Sequence, residues 1–134
     1  MRIYAYLRVV GDEATIRDIH ERTNVPRANI KQLKAPRSAS GDDMCWHWAT
    51  EYIDINADDP DDGLKALLSK HKEIFPVIKK YKGEAEIYLE VVTQYEKDED
   101  VRGLFLSAET VLLLSELGGA LDNDVYGHAS ANTP

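Results

Sequence analysis

Cys45 and His47 combine a possible nucleophile and a possible base, two residues apart in one predicted strand. Catalysis by such a pair requires a direct hydrogen bond between the thiol and the imidazole. Residues two apart in a strand are separated by about 6.5 to 7 Å along the chain, which is too far for that bond. We therefore expect Cys45 to be a small buried hydrophobe, and a catalytic pair would need a partner from another element.

Asp54, Asn56 and Asp58 alternate as the oxygen ligands do at the start of a calcium-binding loop. That loop requires a glycine at its sixth position and a bidentate glutamate at its twelfth. This chain has Asp59 and Lys65 at those positions. The pattern therefore predicts the end of a strand and the start of a capped helix, where carboxylates favour the helix dipole.

The sequence carries no other recognisable catalytic or metal-binding motif. It has no G-x-S-x-G segment, no glycine-rich phosphate loop and no H-E-x-x-H segment. The remaining histidines have no metal-ligand spacing: His20, His71 and His128. We therefore predict no catalytic residues, no cofactor and no metal, and we expect that the protein is not an enzyme. An active site assembled across several elements is the alternative.

Two predicted strands carry different chemistry on their two faces. Aliphatic residues alternate with aromatic and charged ones in the segments 2–10 and 87–92. Because strand side chains alternate between faces, the aliphatic set can line a core and the other set the opposite surface. That other set, a predicted interaction face, consists of Tyr4, Tyr6, Arg8, Tyr88 and Glu90.

Trp46 and Trp48 project to one face of the strand predicted at Met44–Ile55, and Tyr52 follows with the same parity. If that face is the core, the two tryptophans are large buried anchors. If it is the opposite surface, they join the interaction face, where tyrosine, tryptophan and arginine are typical hot spots. The register between strands decides this, and the sequence leaves both alternatives open.

The acidic residues cluster in two segments that form a predicted partner surface: Asp58, Asp59, Asp61 and Asp62, then Asp98, Glu99 and Asp100. A run of charge usually lies in solvated loops and aids solubility. The alternative is a surface that attracts a basic partner and accelerates association with it.

Composition excludes several classes of partner. The chain has 16 basic and 24 acidic residues and a net charge of −8, which repels nucleic acid and anionic lipid. No apolar run approaches the roughly 20 residues that a membrane helix needs, and the N-terminus does not have the pattern of a signal peptide. The single cysteine, Cys45, cannot form an internal disulfide. We therefore expect a cytoplasmic protein that binds neither nucleic acid nor membrane.

The predicted elements alternate as strand, helix, strand, strand, helix, strand, followed by a further helix and a short strand. The first six match a two-layer α+β arrangement of the ferredoxin-like type, βαββαβ, with the helices on one face of the sheet. The helix predicted over 60–81 contains Pro76, which should kink or interrupt it. We expect a single domain over residues 1–126 and a flexible tail over 127–134.

The C-terminal third contains the motif Leu106-Ser107-x-Glu109, leucines that lead to Leu117-Gly118, and Leu121-x-x-Asp124-Val125-Tyr126. The chain also opens with a strand followed by Gly-Asp and a helix, and a tryptophan-containing strand comes later. These features resemble a bacterial family of unknown function, DUF4279. The family implies an α+β domain with no assigned activity. Some of its members look like antidotes encoded beside toxins.

The leading hypothesis from the sequence is a non-catalytic module that binds a protein or a ligand through the interaction face. The same face could support a homodimer, since an exposed apolar patch tends to be covered. The alternative hypothesis is a toxin-neutralising immunity protein that acts through its acidic loops.

Overall fold

The computed structural model describes residues 1–34, 44–100 and 103–127, so the predicted tail lies outside the described residues from residue 128 onward. The strands are β1 (Arg2–Gly11), β2 (Asn29–Lys34), β3 (Met44–Ala49), β4 (Ile53–Ile55), β5 (Glu86–Tyr95) and β6 (Ala120–Gly127). The helices are α1 (Glu13–Thr23), α2 (Pro60–Lys70), α3 (Phe75–Lys79) and α4 (Ala108–Leu117). The mixed α+β class predicted from the sequence is confirmed.

The strands form one sheet in the order β2-β3-β1-β5-β6, with β4 also paired to β1. The central strand β1 is antiparallel to β3 and β4 at one edge and to β5 at the other. The last strand, β6, is parallel to β5. Because β1 is bordered on both sides along its length, it fixes the alignment of the whole sheet.

The sheet differs from the predicted ferredoxin-like arrangement, which has four antiparallel strands. This sheet has six strands, and the pair β5–β6 is parallel because α4 returns the chain to the start of β5. The predicted short final strand has eight residues and pairs along most of β5. The strand predicted at Met44–Ile55 is two strands, β3 and β4. The strand order therefore departs from the predicted one.

A β-bulge at residues 50–52 separates β3 from β4. Ala49 is the partner of Arg8, and Ile53 is the partner of Ala5. Three residues therefore oppose the two residues of β1 between these pairs, which is one residue more than regular pairing allows.

The bulge reverses the alternation of side chains along this edge. Trp48 has an even number and Ile53 an odd one, yet both lie on the same face of the sheet, opposite residues 9 and 5 of β1. Thr50 maintains the connection to β1, because its Oγ1 accepts from Leu7 N and its own N donates to Leu7 O, both at 3.0 Å. Tyr52 consequently lies on the other face.

Side-chain caps start α1, α2 and α4. Asp12 accepts from Thr15 N at 2.8 Å at the start of α1, and Asp59 accepts from Asp62 N at 3.4 Å before α2. At the start of α4, Ser107 Oγ accepts from the N–H three residues on, at 3.3 Å. Each cap satisfies a backbone donor that has no partner within its helix.

The helical segment around Pro76 is interrupted, as the sequence predicts, although the break comes earlier in the chain. The helix α2 ends at Lys70, a 3-10 turn covers Lys72–Ile74, and α3 begins at Phe75. Pro76 therefore sits in the first turn of a new helix, where its missing N–H costs no hydrogen bond.

All four helices contribute to a core against one face of the sheet, called here the helix face. Its strand residues are the odd-numbered positions of β1 and β5 with Trp48 and Ile55. The helices add the following buried side chains: Ile16, Ile19, Leu64, Leu67, Leu68, Phe75, Ile78 and Leu117. Among the described residues, no helix has the length and apolar character needed to cross a membrane.

Candidate functional site

The opposite face of the sheet, called here the open face, contains a groove of about 410 Å³. Three strands and the bulge supply its lining: Arg2, Tyr4, Tyr6, Arg8, Asn29, Lys31, Leu33, His47, Ala49, Thr50 and Tyr52. Register explains why these side chains meet. Arg8, Ala49 and Asn29 form one cross-strand row, and Lys31 and His47 belong to the next. Since side chains on such rows share a face, the lining follows from strand pairing.

Aromatic rings form one end of the groove. The rings of Tyr4 and Tyr52 lie 5.3 Å apart between centroids and are tilted by 55°. The guanidinium of Arg2 lies 4.8 Å from the first ring and 5.8 Å from the second, and its Nε donates to Asp54 at 3.0 Å. These contacts hold the rings in place by stacking and charge.

The groove has a basic lining in an acidic protein. Arg2, Arg8, Lys31 and His47 line it, and the described part of the lining includes no aspartate or glutamate. Arg2 and Arg8 have carboxylate partners outside the lining. Lys31 is exposed and forms no ion pair with any residue in the described ranges.

Arg8 joins the groove to a group of acids on β5 and β6, in which Glu90 is buried and Asp122 and Asp124 are partly exposed. Its guanidinium lies 4.8 Å from the centroid of the Tyr88 ring. Its Nη2 donates to Asp122 at 3.0 Å and lies 3.4 Å from Glu90 Oε2. Burial raises the pKa of Glu90 from 4.5 to about 9, a hydrogen bond with Asp124 adds to this, and the charge of Arg8 opposes it. Glu90, which is only 3% exposed, therefore keeps its proton at neutral pH.

Oxygen atoms of Glu90, Asp122 and Asp124 lie within 4.8 Å of one another, which is close enough for a cation. A divalent cation requires these carboxyl groups to be ionised. Glu90 instead holds a proton, and Arg8 already supplies positive charge to Asp122. The chemistry of this donor set fits a shared proton and an arginine better than a metal ion.

Cys45 and His47 are in contact, which contradicts the prediction from strand spacing. Cys45 Sγ lies 3.2 Å from His47 Nε2. Strand geometry separates the two backbones, but the long imidazole side chain spans the remaining distance. Burial raises the pKa of the Cys45 thiol, while burial and the charge of Arg8 lower that of His47. The pair is therefore neutral, and the thiolate that a nucleophile requires is disfavoured.

The calcium-like segment has the structure of a strand end and a capped helix, as the sequence predicts. Asp54 lies in β4 and pairs with Arg2. Asn56 Oδ1 accepts from Asp58 N at 2.9 Å, so this oxygen closes a local turn. Asp59 caps α2.

Five residues of the predicted interaction face lie together on the open face. Tyr4, Tyr6 and Arg8 line the groove. Tyr88 and Glu90 are the register partners of Arg8 and Tyr6, but both are buried beside the groove and do not line it. Their role in binding stays a prediction.

The two tryptophans do not belong to the open face, which corrects their inclusion in the interaction face. Trp48 pairs with Val9 and Trp46 with Gly11, so both lie on the helix face. Trp48 is fully buried, and Trp46 is half-buried beneath the guanidinium of Arg17. They are core residues because their strand has this register with β1.

Sequence reasoning missed Lys31, Leu33 and Tyr52 as groove residues. Lys31 and Leu33 belong to β2, and the sequence does not specify the register of β2 with β3. Regular alternation predicts that Tyr52 shares the face of Trp46 and Trp48, and the bulge places it on the opposite face. The residues of β2 do not alternate between polar and apolar types, so the segment carried no signal for its two faces.

The two predicted acidic segments meet at one end of the fold. Asp58, Glu99 and Asp100 line a small depression beside the N-terminus. Several predicted members instead have structural contacts. Asp61 accepts from Ser107 N at 2.8 Å, and Glu99 pairs with the N-terminal ammonium at 2.6 Å.

Comparison with known proteins identifies a family for almost the whole chain. The family described as Domain of unknown function (DUF4279) matches residues 1–128, which include every strand and helix described above. No curated protein and no solved structure matches the chain. The resemblance read from the C-terminal segment is thus confirmed, and the chain belongs to the DUF4279 family.

Proposed function

We propose that this protein is a non-catalytic binding module whose groove on the open face takes a small molecule with a flat apolar part. The observation that carries the proposal is the groove, a cavity of about 410 Å³ with tyrosine rings at one end. Sites for small ligands measure about 300 to 1,000 Å³ and combine aromatic side chains with a few polar groups. The groove agrees with both properties.

The state of the groove's ionisable groups supports a role without catalysis. The nearest candidate for a nucleophile, Cys45, has a raised pKa, and its contact His47 has a lowered one. An acid or base works best with a pKa near the operating pH, and a thiol must ionise to attack. Binding a ligand requires neither a pKa near the operating pH nor an ionised thiol, and the tyrosine rings are suited to contact an apolar ligand.

Replacing Tyr6 with alanine should weaken binding of the neutral fluorescent probe N-phenyl-1-naphthylamine about three- to tenfold, because an aromatic contact is lost. Fluorescence titration measures this effect. Tyr6→Phe should bind as the wild type does. Tyr126→Ala is the matched control, since Tyr126 is 58% exposed and does not line the groove.

Three results would overturn the proposal. The first is a wild-type protein that does not bind the probe, and the second is a Tyr6→Ala variant that binds it equally well. The third is a dimer in sedimentation equilibrium whose formation excludes the probe, because the open face would then be a surface for self-association.

A second candidate, a toxin-neutralising immunity role, is favoured by the meeting of the two acidic segments beside the N-terminus. Asp58, Asp98 and Asp100 are exposed there and cap no helix. Such a surface would bind a basic protein tightly at low salt and weakly at high salt.

Neutralising those three aspartates to asparagine tests this role by capture from a cell lysate at low and high salt. A stoichiometric basic protein that the wild type retains and the variant loses would support it. Neutralising Glu21, Glu73 and Glu84 to glutamine makes the same charge change at other exposed positions and is the control. Equal retention by the Asp58/Asp98/Asp100 variant would remove the acidic surface as the cause.

A further inference from the structure

We propose that the edge strand β6 binds an extended segment of another protein, in which lysine or arginine residues alternate with apolar residues. This segment would pair with Ala120–Gly127 and add one strand to the sheet. No residue of β6 lines the groove, so the inference goes beyond the binding role proposed above. It depends on the free backbone of β6 and on the different side chains that β6 carries on its two faces.

The outer side of β6 has an unpaired backbone. In the part of the chain that the structure describes, β6 pairs with β5 and with no other strand. The N–H and C=O groups that point away from β5 therefore have no strand partner, and such groups are a template for a further chain. An extended peptide backbone satisfies them, whereas a helix has already paired its own backbone groups. The occupant that fits this edge is therefore a strand.

The two edges of the sheet differ in how they are protected against such pairing. Natural edge strands are often short or carry lysine or proline. The edge strand β2 has six residues, and Lys31 and Lys34 are two of them. The edge strand β6 has eight residues without lysine, arginine or proline, and its charged residues are Asp122 and Asp124. Of the two edges, β6 is therefore the one open to a further strand, and its charge favours a basic one.

One face of β6 suits basic side chains. Asp122, Asp124 and Tyr126 alternate along the open face, because they pair in register with the even-numbered residues of β5. Arg8 pairs with Asp122, and Asp124 forms no ion pair with a basic residue of the described ranges. Tyr126 is 58% exposed, and the face of its ring attracts a cation. Lysine or arginine at every second position of a partner strand would therefore lie beside two carboxylates and a ring.

The other face of β6 suits apolar side chains. Leu121 and Val125 lie on the helix face, where they pair in register with Leu89 and Thr93. Although that face forms the core, Leu121 is 36% exposed and Val125 is 44% exposed. A strand placed beside β6 would cover them with its own apolar residues and remove this surface from water.

Helix α4 extends this apolar surface. On one flank of α4, Glu109 pairs with Lys65 and Glu116 with Lys72, so that flank faces α2 and the turn after it. Successive helix residues are about 100° apart, which places Val111 on the opposite flank. Since α2 packs on β1 and β4, the flank of α4 away from α2 lies toward β6. Val111 is exposed on that flank and can contact an apolar side chain of the partner strand.

Charge argues against a second copy of this chain as the occupant. In a two-fold pairing of β6 with β6, even-numbered residues lie opposite even-numbered ones. The two registers with the longest overlap place Asp122 opposite Asp124, or Asp124 opposite its own copy. Like charges directly opposite each other destabilise a sheet, and each chain also has a net charge of −8. With a basic partner, both contributions become attractive.

Two labelled peptides of the same composition test the proposal on the wild-type protein. Fluorescein-Lys-Val-Lys-Val-Lys-Val-Lys has the alternation that β6 requires, and fluorescein-Lys-Lys-Val-Val-Val-Lys-Lys has the same charge without it. Only the first can present its lysines to the open face while its valines cover Leu121 and Val125. Fluorescence anisotropy should therefore show about tenfold tighter binding of the alternating peptide.

Hydrogen exchange followed by mass spectrometry locates the bound peptide. Backbone pairing slows the exchange of the amides that it protects. Residues 120–127 should therefore exchange more slowly with the alternating peptide than without it, and β2 should exchange at an unchanged rate. This measurement uses the wild-type protein and does not depend on the folding of a variant.

Val125→Lys should weaken binding of the alternating peptide about tenfold, because an apolar contact is lost and a positive charge is added beside a basic partner. Leu33→Lys is the matched control. It makes the same change to lysine at a residue of nearly equal exposure, 43%, on the opposite edge strand. It should leave the affinity unchanged. Circular dichroism establishes that both variants keep the fold.

Equal affinities for the two peptides, or no binding of either, would show that β6 does not recruit an alternating basic strand. Slower exchange only in segments other than 120–127 would place the peptide elsewhere. Self-association in sedimentation equilibrium that removes peptide binding would assign the edge to a second copy. Each of these results overturns the proposal, whereas tighter binding of the alternating peptide with protection of β6 supports it.

Discussion

Trp48→Ala should lower the free energy of unfolding by about 3 to 5 kcal/mol, which is a large part of the stability of a small domain. Trp48 is 0% exposed and packs in the core between β3 and the helices. Its removal leaves a cavity that close-packed neighbours cannot fill. Equilibrium unfolding in urea, followed by circular dichroism, measures the change.

Trp46→Ala is the matched control, because the residue has the same type and lies on the same strand face. Trp46 is half-buried, and its ring is covered mainly by the guanidinium of Arg17 at 4.9 Å. Trp46→Ala should lower the free energy of unfolding by less than half as much as Trp48→Ala does. Comparable losses for the two variants would contradict the assignment of Trp48 as the central anchor of this strand.

The free energy of unfolding should fall as the pH rises from about 5 to about 9, and Glu90→Gln should remove most of this dependence. The pKa of Glu90 is raised from 4.5 to about 9 by burial. Between these values the folded state holds one proton more than the unfolded chain. Folding is therefore favoured at the lower pH, with a slope of at most about 1.4 kcal/mol per pH unit.

Glutamine reproduces the neutral form of the carboxyl group, so the variant should match the wild type near pH 5 and exceed it in stability near pH 9. Arg8, Asp122 and Asp124 face this group and stay in place in both proteins. Glu86→Gln, at an exposed position of the same strand face, controls for the loss of a carboxyl group. Urea unfolding at pH 5, 7 and 9 gives the slopes. Parallel slopes for wild type and Glu90→Gln would show that Glu90 ionises normally in the folded protein.

Local patterns were sufficient to predict the faces of the central strands. In β1 the alternation of aliphatic residues with Tyr4, Tyr6 and Arg8 is regular, and the strand pairs along its length without a break. The capped start of α2 was also predicted correctly, because a cap depends on a few neighbouring residues. The family resemblance came from short packing motifs of the same local kind.

Contacts between distant segments were not predicted. The third strand contains one extra residue relative to β1, and no residue type in the sequence marks that position as a bulge. The prediction of the sheet face on which Tyr52 lies was therefore wrong. The face of Trp48 stayed undecided until its pairing with Val9 was known. Lys31 lines the groove because of the register between β2 and β3, which the sequence does not specify. Cys45 contacts His47 because of side-chain length, which backbone spacing does not include.

The bulge at residues 50–52 also decides which side chains of β4 enter the core. If the same residues paired with β1 without a bulge, Ile53 would lie opposite Tyr4 in place of Ala5. Ile53 and Ile55 would then face the solvent, and Asp54 would enter the core. Deleting one residue of the bulge, by contrast, would restore regular pairing and keep Ile53 opposite Ala5. Natural relatives with this core should therefore tolerate a segment one residue shorter, paired regularly, in which Ile53 and Ile55 still face the helices.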